Sequence, residues 1–461
     1  MNIAIIGGGP AGMAAAVAAK EIFCKYGVSG EVILLERQDC LGGVLPQCIH
    51  PGFGTQIYQQ DYTGGEYAEI WRKKLEEKEI KVMTETTVLE LTKERTWSLH
   101  CASAKVGSLH LPVDGVIMAT GCRERTLGSM RIPGSRPAGI FTAGAAQLMM
   151  NRKNYLPGRS AVILGSGDIG LIMARRMTLE GIKVKMILGQ KSTGLLRNVI
   201  QCVDDFQLPM RYGWTVVSTH GYGRLKGVSI APVNEEGVVD YAHKEYIPCD
   251  TLLVATGLIP ERELTGNLDE ETEGLFFCGN VSRVHDLADG VTLEGMEIGA
   301  KAATFVLQRE EEEQQNIDYV FSKLLSAEYL AEKEGKSADA DPVVYGGEGR
   351  GNMGCTICPK GCALWVEREP FSVKGHQCQR GEAFAKEEVA SPKRTVTTVV
   401  KTKDGRLLSV RTDRQIKKAE IWAVMKAVKQ ITVETPMEVG DTIRENIAGT
   451  GAKLIATAKL D

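Results

Sequence analysis

Two segments of the chain share one pattern, in which a short apolar run meets a glycine-rich turn and then a second apolar segment. In the first copy, Asn2–Ile6 predicts a buried strand, and the alanine-rich stretch Ala11–Glu21 predicts a helix. In the second copy, Ala161–Leu164 predicts a strand and Leu171–Leu179 predicts a helix. Each copy therefore predicts a strand, a tight turn and a helix, the order found in α/β folds with parallel sheets.

Both turns carry the glycine spacing G-x-G-x-x-G, at residues 7–12 and 165–170. Each fingerprint is followed by an Ala-Thr-Gly sequence, at residues 119–121 and 255–257. A lone fingerprint is weak because glycine-rich turns are common, but a strand before it and a helix after it are typical of a dinucleotide site. A chain with two such sites usually passes electrons between two nucleotides, so a flavin oxidoreductase is the first hypothesis.

The first fingerprint has the residues expected to hold the pyrophosphate of FAD. Gly7 permits a tight turn, Gly9 lets the backbone approach the pyrophosphate, and Gly12 lets the helix pack closely on the strand. The predicted strand Val32–Leu35 ends at Glu36, whose carboxylate is expected to bind ribose hydroxyls. The candidate FAD residues in this half of the chain are Gly7, Gly9, Pro10, Ala11, Gly12, Glu36, Arg37, Ala119, Thr120 and Gly121.

The second fingerprint predicts an NAD(P) site without the usual acidic residue. Its next predicted strand, Lys183–Leu188, is followed by Gly189, Gln190 and Lys191. A carboxylate favours NAD and a cation favours NADP, whereas Gln190 could bond a hydroxyl and Lys191 could meet a phosphate. The sequence is therefore compatible with a site for NAD or for NADP. It is also compatible with a degenerate site that binds neither nucleotide. The candidate residues are Gly165, Gly167, Asp168, Ile169, Gly170, Gln190 and Gly257.

Composition narrows the possible functions. A chain of 461 residues suggests two or three domains, and its net charge of −3 argues against nucleic acid as the main partner. No run of 18 apolar residues is present, so no transmembrane helix is expected. Because the N-terminus enters a strand at once, we expect no signal peptide and a cytoplasmic protein. In a cytoplasmic protein, twelve cysteines suggest metal binding or redox chemistry rather than a framework of disulfides.

Four cysteines form a candidate metal site in the C-terminal third. Cys355, Cys358 and Cys362 have C-x2-C-x3-C spacing, and Cys378 follows. Four thiolates suit a [4Fe-4S] cluster or tetrahedral zinc. The single C-x2-C knuckle favours iron–sulfur, since zinc ribbons more often use two. The stretch also resembles the N-terminal iron–sulfur segment of molybdopterin oxidoreductases. Zinc and bystander thiols remain the alternatives.

The paired fingerprints, with Phe276–Asn280 after them, resemble two-dinucleotide flavoproteins of the pyridine nucleotide–disulfide oxidoreductase class. The resemblance implies an α/β fold with two Rossmann-like domains, the second inserted in the first, plus a small C-terminal α+β metal-binding domain. The expected divisions are an FAD domain at 1–152 and 261–308, an NAD(P) domain at 153–260, a connector at 309–352 and a four-cysteine domain at 353–461. The charged run Arg309–Gln315 suggests a solvated helix end or linker.

In that class a Gly-Asp pair completes the flavin site, and the matching pair here is Gly279–Asn280. Asn280 could still hydrogen-bond to the cofactor, or Asp286 or Asp289 could replace the missing aspartate. The resemblance also places residues after Glu36 beside the isoalloxazine. It adds Gly43, Val44, Gln47, Gly279, Asn280 and Asp286 to the FAD candidates.

Disulfide reductases of the class carry a C-x4-C pair in the region after Glu36, but this chain has Cys40 and Cys48 with seven residues between them. A redox disulfide is therefore disfavoured. Cys48 is the candidate catalytic residue, as a lone thiol near the flavin. A packed, inert Cys48 is the alternative, and His50 is more readily explained as an ordinary histidine than as an acid or base.

A narrower resemblance covers residues 1–308, through Thr120–Arg125 and Gly194–Asn198, and points to flavin subunits like the alpha subunits of opine oxidase and hydrogen cyanide synthase. Residues 353–461 resemble a small domain of unassigned function encoded beside flavin dehydrogenases, with strands expected at 395–401 and 407–411 and a helix at 417–428. These resemblances imply electron transfer among NAD(P)(H), FAD and a [4Fe-4S] cluster. They also imply a partner subunit, namely an FAD-dependent dehydrogenase of glycerol 3-phosphate or a 2-hydroxy acid.

A stand-alone NAD(P)H-dependent flavin reductase of a small acceptor is one alternative. A non-catalytic, zinc-bound assembly subunit is another, supported by the missing carboxylate after Leu188. A homo-oligomer is possible in either case, as is peripheral membrane association through a partner.

Overall fold

The structure is a computed structural model that describes residues 1–94, 96–190, 194–308, 350–368 and 371–461. Lys191, the run Arg309–Gln315 and nearly all of the expected connector lie outside the described residues. The helices of the described residues are α1 Pro10–Lys25, α2 Gly64–Glu77, α3 Ala143–Arg152, α4 Asp168–Leu179, α5 Leu196–Cys202, α6 Ala288–Gln308, α7 Gln379–Ala390 and α8 Ile421–Val428. None of them is both long enough and apolar enough to cross a membrane.

The described residues divide into two units. The first unit contains residues 1–123, 258–308 and 457–459, and the second contains 124–257, 350–456 and 460–461. The chain thus leaves the first unit after its first nucleotide region and returns to it after the second. That course is the insertion expected for the α/β class, and the class is confirmed.

The first unit is built on a parallel sheet of five strands, each only three to five residues long. One face packs on α1, α2 and α6, and the other on a three-stranded antiparallel sheet. The parallel strands, in their order across the sheet, are Leu275–Phe277, Gly115–Met118, Asn2–Ile6, Glu31–Leu35 and Lys81–Met83. The antiparallel strands are Thr86–Lys93, Trp97–Ser103 and Gly107–Val113, and short pairs join Pro51–Phe53 to Tyr62–Thr63 and Cys122–Glu124 to Leu258–Pro260.

Small residues bring α1 and α6 into unusually close contact. A Cβ atom on Gly295 would stand 2.3 Å from the carbonyl oxygen of Ala11, and one on Gly299 would stand 2.2 Å from that of Ala15. Only glycine fits at these positions of α6, because the atoms that a side chain would meet belong to the backbone of α1. This contact fixes the helix that begins at the first fingerprint.

The second unit repeats the same architecture. Its parallel sheet packs on α3 and α4 on one face and on a second antiparallel sheet on the other. The parallel strands, in their order across the sheet, are Ile140–Thr142, Thr251–Val254, Ser160–Leu164, Lys183–Gly189 and Met210–Tyr212. The antiparallel strands are Trp214–Tyr222, Arg224–Pro232 and Glu245–Pro248.

The C-terminal part of the second unit is a small α+β region. The first three cysteines lie in the loop between the first two strands of a three-stranded sheet, and Cys378 follows its third strand. A five-stranded sheet comes next, and Lys393–Arg394 pairs with Ile416–Lys417. The helix expected at 417–428 begins only at Ile421, because that short strand pair and a 3-10 turn occupy the residues before it. The strands of the two sheets are Arg350–Gly354, Ala363–Arg368 and Phe371–Lys374, then Thr432–Val433, Thr397–Thr402, Leu407–Thr412, Leu454–Ala456 and Thr442–Arg444.

Candidate functional site

The first fingerprint forms a turn that only glycine can make at two positions. Gly7 has a φ of +112°, and a Cβ there would stand 2.3 Å from the carbonyl oxygen of Ala119. A Cβ on Gly12 would stand 1.8 Å from the carbonyl oxygen of Gly7. A Cβ on Gly9, in contrast, would meet no atom within 4 Å. Gly7 and Gly12 therefore close the turn, and Gly9 leaves open space at the N-terminus of α1.

Helix α1 presents its N-terminus to this open space. Gly9 is its N-cap residue, no side chain caps the helix, and Pro10 starts it. The first N–H groups of a helix need partners outside the helix, and the positive end of its dipole attracts anions. The turn is thus shaped for the pyrophosphate of a dinucleotide.

A cavity of about 680 Å³ opens in front of this turn, within the first unit. Three predicted residues, Gly12, Gln47 and Gly279, do not line it. Gly279 has a φ of +73°, and a Cβ there would stand 2.8 Å from the Cβ of Ala11. The predicted residues that line the cavity are Gly7, Gly9, Pro10, Ala11, Glu36, Arg37, Gly43, Val44, Ala119, Thr120, Gly121, Asn280 and Asp286.

Glu36 lines the cavity and also fastens the turn. Its side chain is buried, and its two oxygens accept hydrogen bonds from the N–H groups of Gly8 and Gln38, each at 2.8 Å. An ionised carboxylate offers about four lone-pair sites, so ribose hydroxyls can still donate to it. Glu36 can therefore position the turn and bind ribose at once.

The structure distinguishes the two acidic residues that follow Asn280. Asp289 is buried and accepts hydrogen bonds from the N–H of Gln56 and the hydroxyl of Tyr67, both at 3.4 Å, and it does not line the cavity. Burial raises the pKa of Asp289, against the hydrogen bonds that lower it. Of these two aspartates, Asp286 is the one that lines the cavity.

Asn280 lines the cavity but its amide is already engaged. The side-chain oxygen accepts a hydrogen bond from the backbone N–H of His285 at 3.0 Å, and the amide nitrogen lies 3.6 Å from the sulfur of Cys122. Asn280 therefore fixes the loop that leads into α6. A hydrogen bond from Asn280 to a cofactor would use the remaining lone pair or proton of the amide.

Sequence reasoning missed many residues of the cavity wall, and those with reactive side chains include Cys122, Cys278 and His285. Cys278 is fully buried, and its burial raises the pKa of its thiol well above the usual range. His285 contacts Glu294, with 2.7 Å between Nε2 and the carboxylate. The signal that could have found these residues is their position beside the Ala-Thr-Gly and Gly-Asn motifs.

Cys48 and His50 lie on the segment that leads away from Gly43. Cys48 is buried against Gly64 and is not among the residues that line the cavity, and neither it nor Cys40 forms a disulfide. The ring of His50 lies 5.1 Å from that of Phe53, which does line the cavity. Its Nδ1 is 3.0 Å from the carbonyl oxygen of Pro51.

The second fingerprint has the same backbone geometry as the first. Gly165 has a φ of +123°, and a Cβ there would stand 2.1 Å from the carbonyl oxygen of Ala255. A Cβ on Gly170 would stand 2.5 Å from the carbonyl oxygen of Gly165. Gly167 is the N-cap of α4, again without a side-chain cap. The turn has therefore kept the shape that binds a pyrophosphate, and Gly257, with a φ of +110°, borders open space.

The other candidates around this turn differ in role. Ile169 packs against the core beneath α4, and Gln190 is exposed at the end of its strand. One carboxylate oxygen of Asp168 accepts hydrogen bonds from the backbone N–H of Leu195 and the side chain of Asn198, both at 2.7 Å. Asp168 thus ties the fingerprint to the start of α5.

The loop that contains Cys355, Cys358 and Cys362, called the cysteine loop below, packs on helix α5. A Cβ on Gly354 would stand 2.5 Å from the side chain of Leu196, and one on Gly361 would stand 3.2 Å from it. Leu196 follows directly on Leu195, which Asp168 binds. The loop with the first three cysteines therefore lies beside the second fingerprint, in the second unit.

The thiols of the quartet lie close enough together to change the pKa of Cys355. Burial raises the pKa of Cys355, and the sulfurs of Cys358, Cys362 and Cys378 raise it further, against a hydrogen bond from the Ile357 N–H. Cys378 is the N-cap of α7, where hydrogen bonds from the backbone of that helix lower the pKa of its thiol. Among the residues that the structure describes, no three His, Cys, Asp or Glu side chains are arranged to hold a metal ion.

Two family models match the chain. A model described as pyridine nucleotide-disulphide oxidoreductase matches residues 1–277, which is more than half of the chain. A model described as a protein of unknown function (DUF1667) matches residues 379–458. The cysteine quartet lies between the two matched stretches.

Curated relatives match the first part of the chain. Hydrogen cyanide synthase subunit HcnB of Pseudomonas protegens is 28% identical over 293 residues, which are 59% of this chain and 59% of that protein. One subunit of the opine oxidase of Rhizobium meliloti is 23% identical over 57% of this chain and 51% of its own length. NADH oxidase of Thermoanaerobacter brockii is 24% identical over 63% of this chain and 39% of its own length. The chain thus spans little more than half the length of the first two proteins.

Solved structures show the same fold. Thioredoxin reductase of Lactococcus lactis superposes with a TM-score of 0.52 at 18% identity, covering 67% of this chain and 99% of that one. Bacillithiol disulfide reductase of Bacillus cereus gives a TM-score of 0.51 at 15% identity, covering 67% of this chain and all of its own. The two glycine turns, the cavity and the family match agree. The chain belongs to the pyridine nucleotide-disulphide oxidoreductase family, a family of FAD-dependent NAD(P) oxidoreductases.

Proposed function

We propose that this chain is an electron-transfer subunit that passes electrons between NAD(P)(H), FAD and a [4Fe-4S] cluster held by Cys355, Cys358, Cys362 and Cys378. The observation that carries the proposal is the loop of Cys355, Cys358 and Cys362, which packs on Leu196 beside the second dinucleotide turn, with the sulfur of Cys378 close enough to act on Cys355. The candidate NAD(P) turn and the candidate cluster loop belong to the same unit of the chain, which supports the proposal.

The residues of the first unit are suited to hold FAD. The N-terminus of α1 would bind the pyrophosphate, and Glu36 would bind the adenosine ribose. FAD held there would supply the chemistry of hydride acceptance and single-electron release, and the protein would supply binding and orientation. Cys48, the candidate catalytic residue, does not line the cavity, whereas Cys122 does.

The thiols fit a cluster in their chemistry. None of the four is in a disulfide, and backbone N–H groups donate to the sulfurs of Cys355 and Cys378. Hydrogen bonds to cysteine sulfur tune the potential of iron–sulfur clusters. Three cysteines on one short loop and a fourth at a helix N-terminus would hold a cubane from two sides. Zinc is the alternative metal for the same donors.

A partner subunit completes the proposal. Two relatives, HcnB and the opine oxidase protein, are named as subunits of larger enzymes. We infer that an FAD-dependent dehydrogenase of glycerol 3-phosphate or a 2-hydroxy acid oxidises the organic substrate, and that this chain carries the electrons onward.

Cys358→Ser is expected to remove the cluster and leave FAD bound. Purified anaerobically, the unaltered protein should contain flavin and four irons per chain and lose flavin colour on addition of NADH or NADPH. The variant should lose the iron and the broad visible absorption, because serine replaces one of the ligands. Cys24→Ser changes an exposed thiol outside the quartet and should retain both cofactors. Zinc without iron would overturn the cluster, and a flavin that responds to neither nucleotide would overturn the electron route.

Gln190→Asp is expected to shift nucleotide preference toward NADH. A carboxylate at this exposed strand end would bind the ribose hydroxyls of NADH and repel the 2′-phosphate of NADPH. We expect the affinity for NADPH to fall at least roughly tenfold relative to that for NADH, as one added like charge at short range would produce. Fluorescence titration of both nucleotides measures the ratio, with Gln430→Asp, another exposed position, as the control. An unchanged ratio would show that Gln190 does not face the nucleotide.

A further inference from the structure

The cysteine quartet lies at one end of the three-stranded sheet in the second unit. Cys355 directly follows the first strand, and Cys362 directly precedes the second. These two strands are antiparallel, and the N–H of Cys355 donates to the carbonyl oxygen of Cys362 at 2.9 Å. The third strand is antiparallel to the second, so its last residue, Lys374, returns to the same end just before Cys378. We call this edge the cysteine end of the sheet.

Trp365 is an exposed tryptophan at the cysteine end. Its neighbours in the strand, Leu364 and Val366, are buried in an apolar core with α7, so the alternation of the strand turns Trp365 to the opposite face. Trp365 is 52% exposed there, beside Lys374, its partner in the register. Gly375 approaches the ring closely, since a Cβ on it would stand 2.8 Å from the indole. A large, rigid apolar surface of this kind is typical of the centre of a protein interface.

The exposed charges at the cysteine end are positive. Glu367 is the acidic residue of this part of the chain, and it is half-buried and accepts a hydrogen bond from the hydroxyl of Ser372 at 3.3 Å. An apolar centre with positive charges near it is complementary to an acidic partner. Among residues 355–367 and 371–381, the exposed charged side chains are Lys360, Lys374 and Arg380.

Part of the quartet also reaches the surface. Cys378 is exposed, and the side chain of Arg380 hydrogen-bonds to its sulfur. Ile357, which lies between Cys355 and Cys358, is 39% exposed. A one-electron centre held by these thiols would therefore have an edge close to solvent, where a second protein can approach it.

We propose that the cysteine end, with its exposed Trp365, Lys374 and Arg380, docks a small acidic protein that carries one electron at a time. The inference rests on the proposed function and deepens it, because it gives the chemistry of the carrier that exchanges electrons with this chain. Two carriers would be reduced for each NAD(P)H oxidised, with one proton released to solvent, or the exchange would run in reverse. No bond to the carrier is made or broken.

An acidic plant-type [2Fe–2S] ferredoxin serves as the probe, and basic cytochrome c serves as the probe of opposite charge. The iron-loaded protein should bind the ferredoxin in a calorimetric titration. Raising the ionic strength from about 20 mM to about 500 mM should weaken this binding at least roughly tenfold, because salt screens exposed charges. Ferredoxin binding that does not respond to salt, or a preference for cytochrome c, would overturn the acidic partner.

Two variants separate the charged from the apolar contact. Lys374→Glu should weaken ferredoxin binding roughly tenfold at the lower ionic strength and change it little at the higher one. Trp365→Ala should weaken binding by a similar factor at both, because salt does not screen an apolar contact. The matched controls are Lys426→Glu, at another exposed lysine, and Trp422→Ala, at a tryptophan that is also 52% exposed. Neither control should change the affinity.

Iron content and flavin bleaching keep the two proposals distinguishable. Unaltered protein without iron, or with a flavin that responds to neither nucleotide, would refute the proposed function. If both properties are present and ferredoxin does not bind, or binds equally well to Lys374→Glu and Trp365→Ala, this inference alone is refuted. If Trp365→Ala loses iron, Lys374→Glu still decides, because it alters a solvated side chain. If the unaltered protein is a dimer that Trp365→Ala dissociates in sedimentation velocity, a second copy covers the surface and the inference is likewise overturned.

Discussion

Gly12→Ala is expected to abolish FAD binding. The new Cβ would stand 1.8 Å from the carbonyl oxygen of Gly7, which belongs to the backbone and cannot rotate away. To relieve this clash, either α1 must move away from the strand Asn2–Ile6 or the turn must open. Either change costs about 3 kcal/mol. Either movement displaces the N–H groups at the N-terminus of α1 on which pyrophosphate binding depends.

Gly9→Ala should lose FAD for a different reason. Gly9 has a φ of −76°, which alanine adopts freely, and a Cβ there would meet no protein atom within 4 Å. The apoprotein should therefore be as stable as the unaltered one, while the methyl group occupies the space where the pyrophosphate approaches. We expect FAD affinity to fall at least roughly tenfold, because the second glycine of the fingerprint is the one that lets the backbone approach the pyrophosphate.

Bound FAD per chain and the melting temperature of the apoprotein distinguish these effects. Gly12→Ala should lower both, Gly9→Ala only the first, and Gly128→Ala neither, because the Cβ at residue 128 would stand 3.7 Å from Thr126. A normal FAD content in Gly12→Ala would contradict the inference that the turn has no room for a side chain at residue 12. A lowered melting temperature of Gly9→Ala would show that the open space has a structural rather than a binding role.

The fingerprints could be predicted from sequence because their requirements are local. A glycine that must adopt a positive φ or leave room for a carbonyl oxygen is visible as a residue type at a fixed spacing, and Gly7 and Gly165 both have the expected geometry. The strands predicted at 2–6 and 161–164 likewise appear, with one residue added to the second.

Contacts between distant residues could not be predicted in the same way. Asp286 and Asp289 are both plausible candidates in sequence, and only the loop from Asn280 to α6 decides that the first lines the cavity and the second binds Tyr67. The pairing of His285 with Glu294 depends on the same loop. Asp205 and Arg394 are 189 residues apart and meet only through the packing of the second unit.

The contact between Asp205 and Arg394 joins two regions of the second unit. Arg394 is 4% exposed, and its guanidinium forms hydrogen bonds of 2.6 and 3.2 Å with Asp205 and of 2.6 and 2.8 Å with Glu388. Burial lowers the pKa of Arg394, but its bonds to Glu388 and Asp205 outweigh that effect and raise it. Asp205 follows α5 and Glu388 belongs to α7, the helix that Cys378 caps. The ion pairs thus anchor the C-terminal region to the nucleotide-binding part of the unit.

Arg394→Met is expected to destabilise this region by about 3–5 kcal/mol. The substitution keeps the apolar volume but leaves the buried carboxylate of Asp205 and the half-buried one of Glu388 without their partner. Lys418 compensates Asp205 only in part, at 2.8 Å. The residues that line the FAD cavity all belong to the first unit, so FAD should stay bound, and iron should be lost if the proposed cluster is present. Urea unfolding, limited proteolysis and iron content measure the effect. Arg414→Met, which removes an exposed pair with Asp413, is the control and should change none of them.

A triple variant identifies the cause of the loss. Arg394→Met combined with Asp205→Asn and Glu388→Gln removes the charges together, so no buried carboxylate lacks a partner, and most of the lost stability should return. If the triple variant is no more stable than Arg394→Met alone, the directed hydrogen bonds of the guanidinium, rather than the charge left behind, hold the C-terminal region. If Arg394→Met retains iron and resists proteolysis like the unaltered protein, the ion pairs do not anchor the region at all. The apolar contact of Leu196 with the cysteine loop would then be the connection that matters.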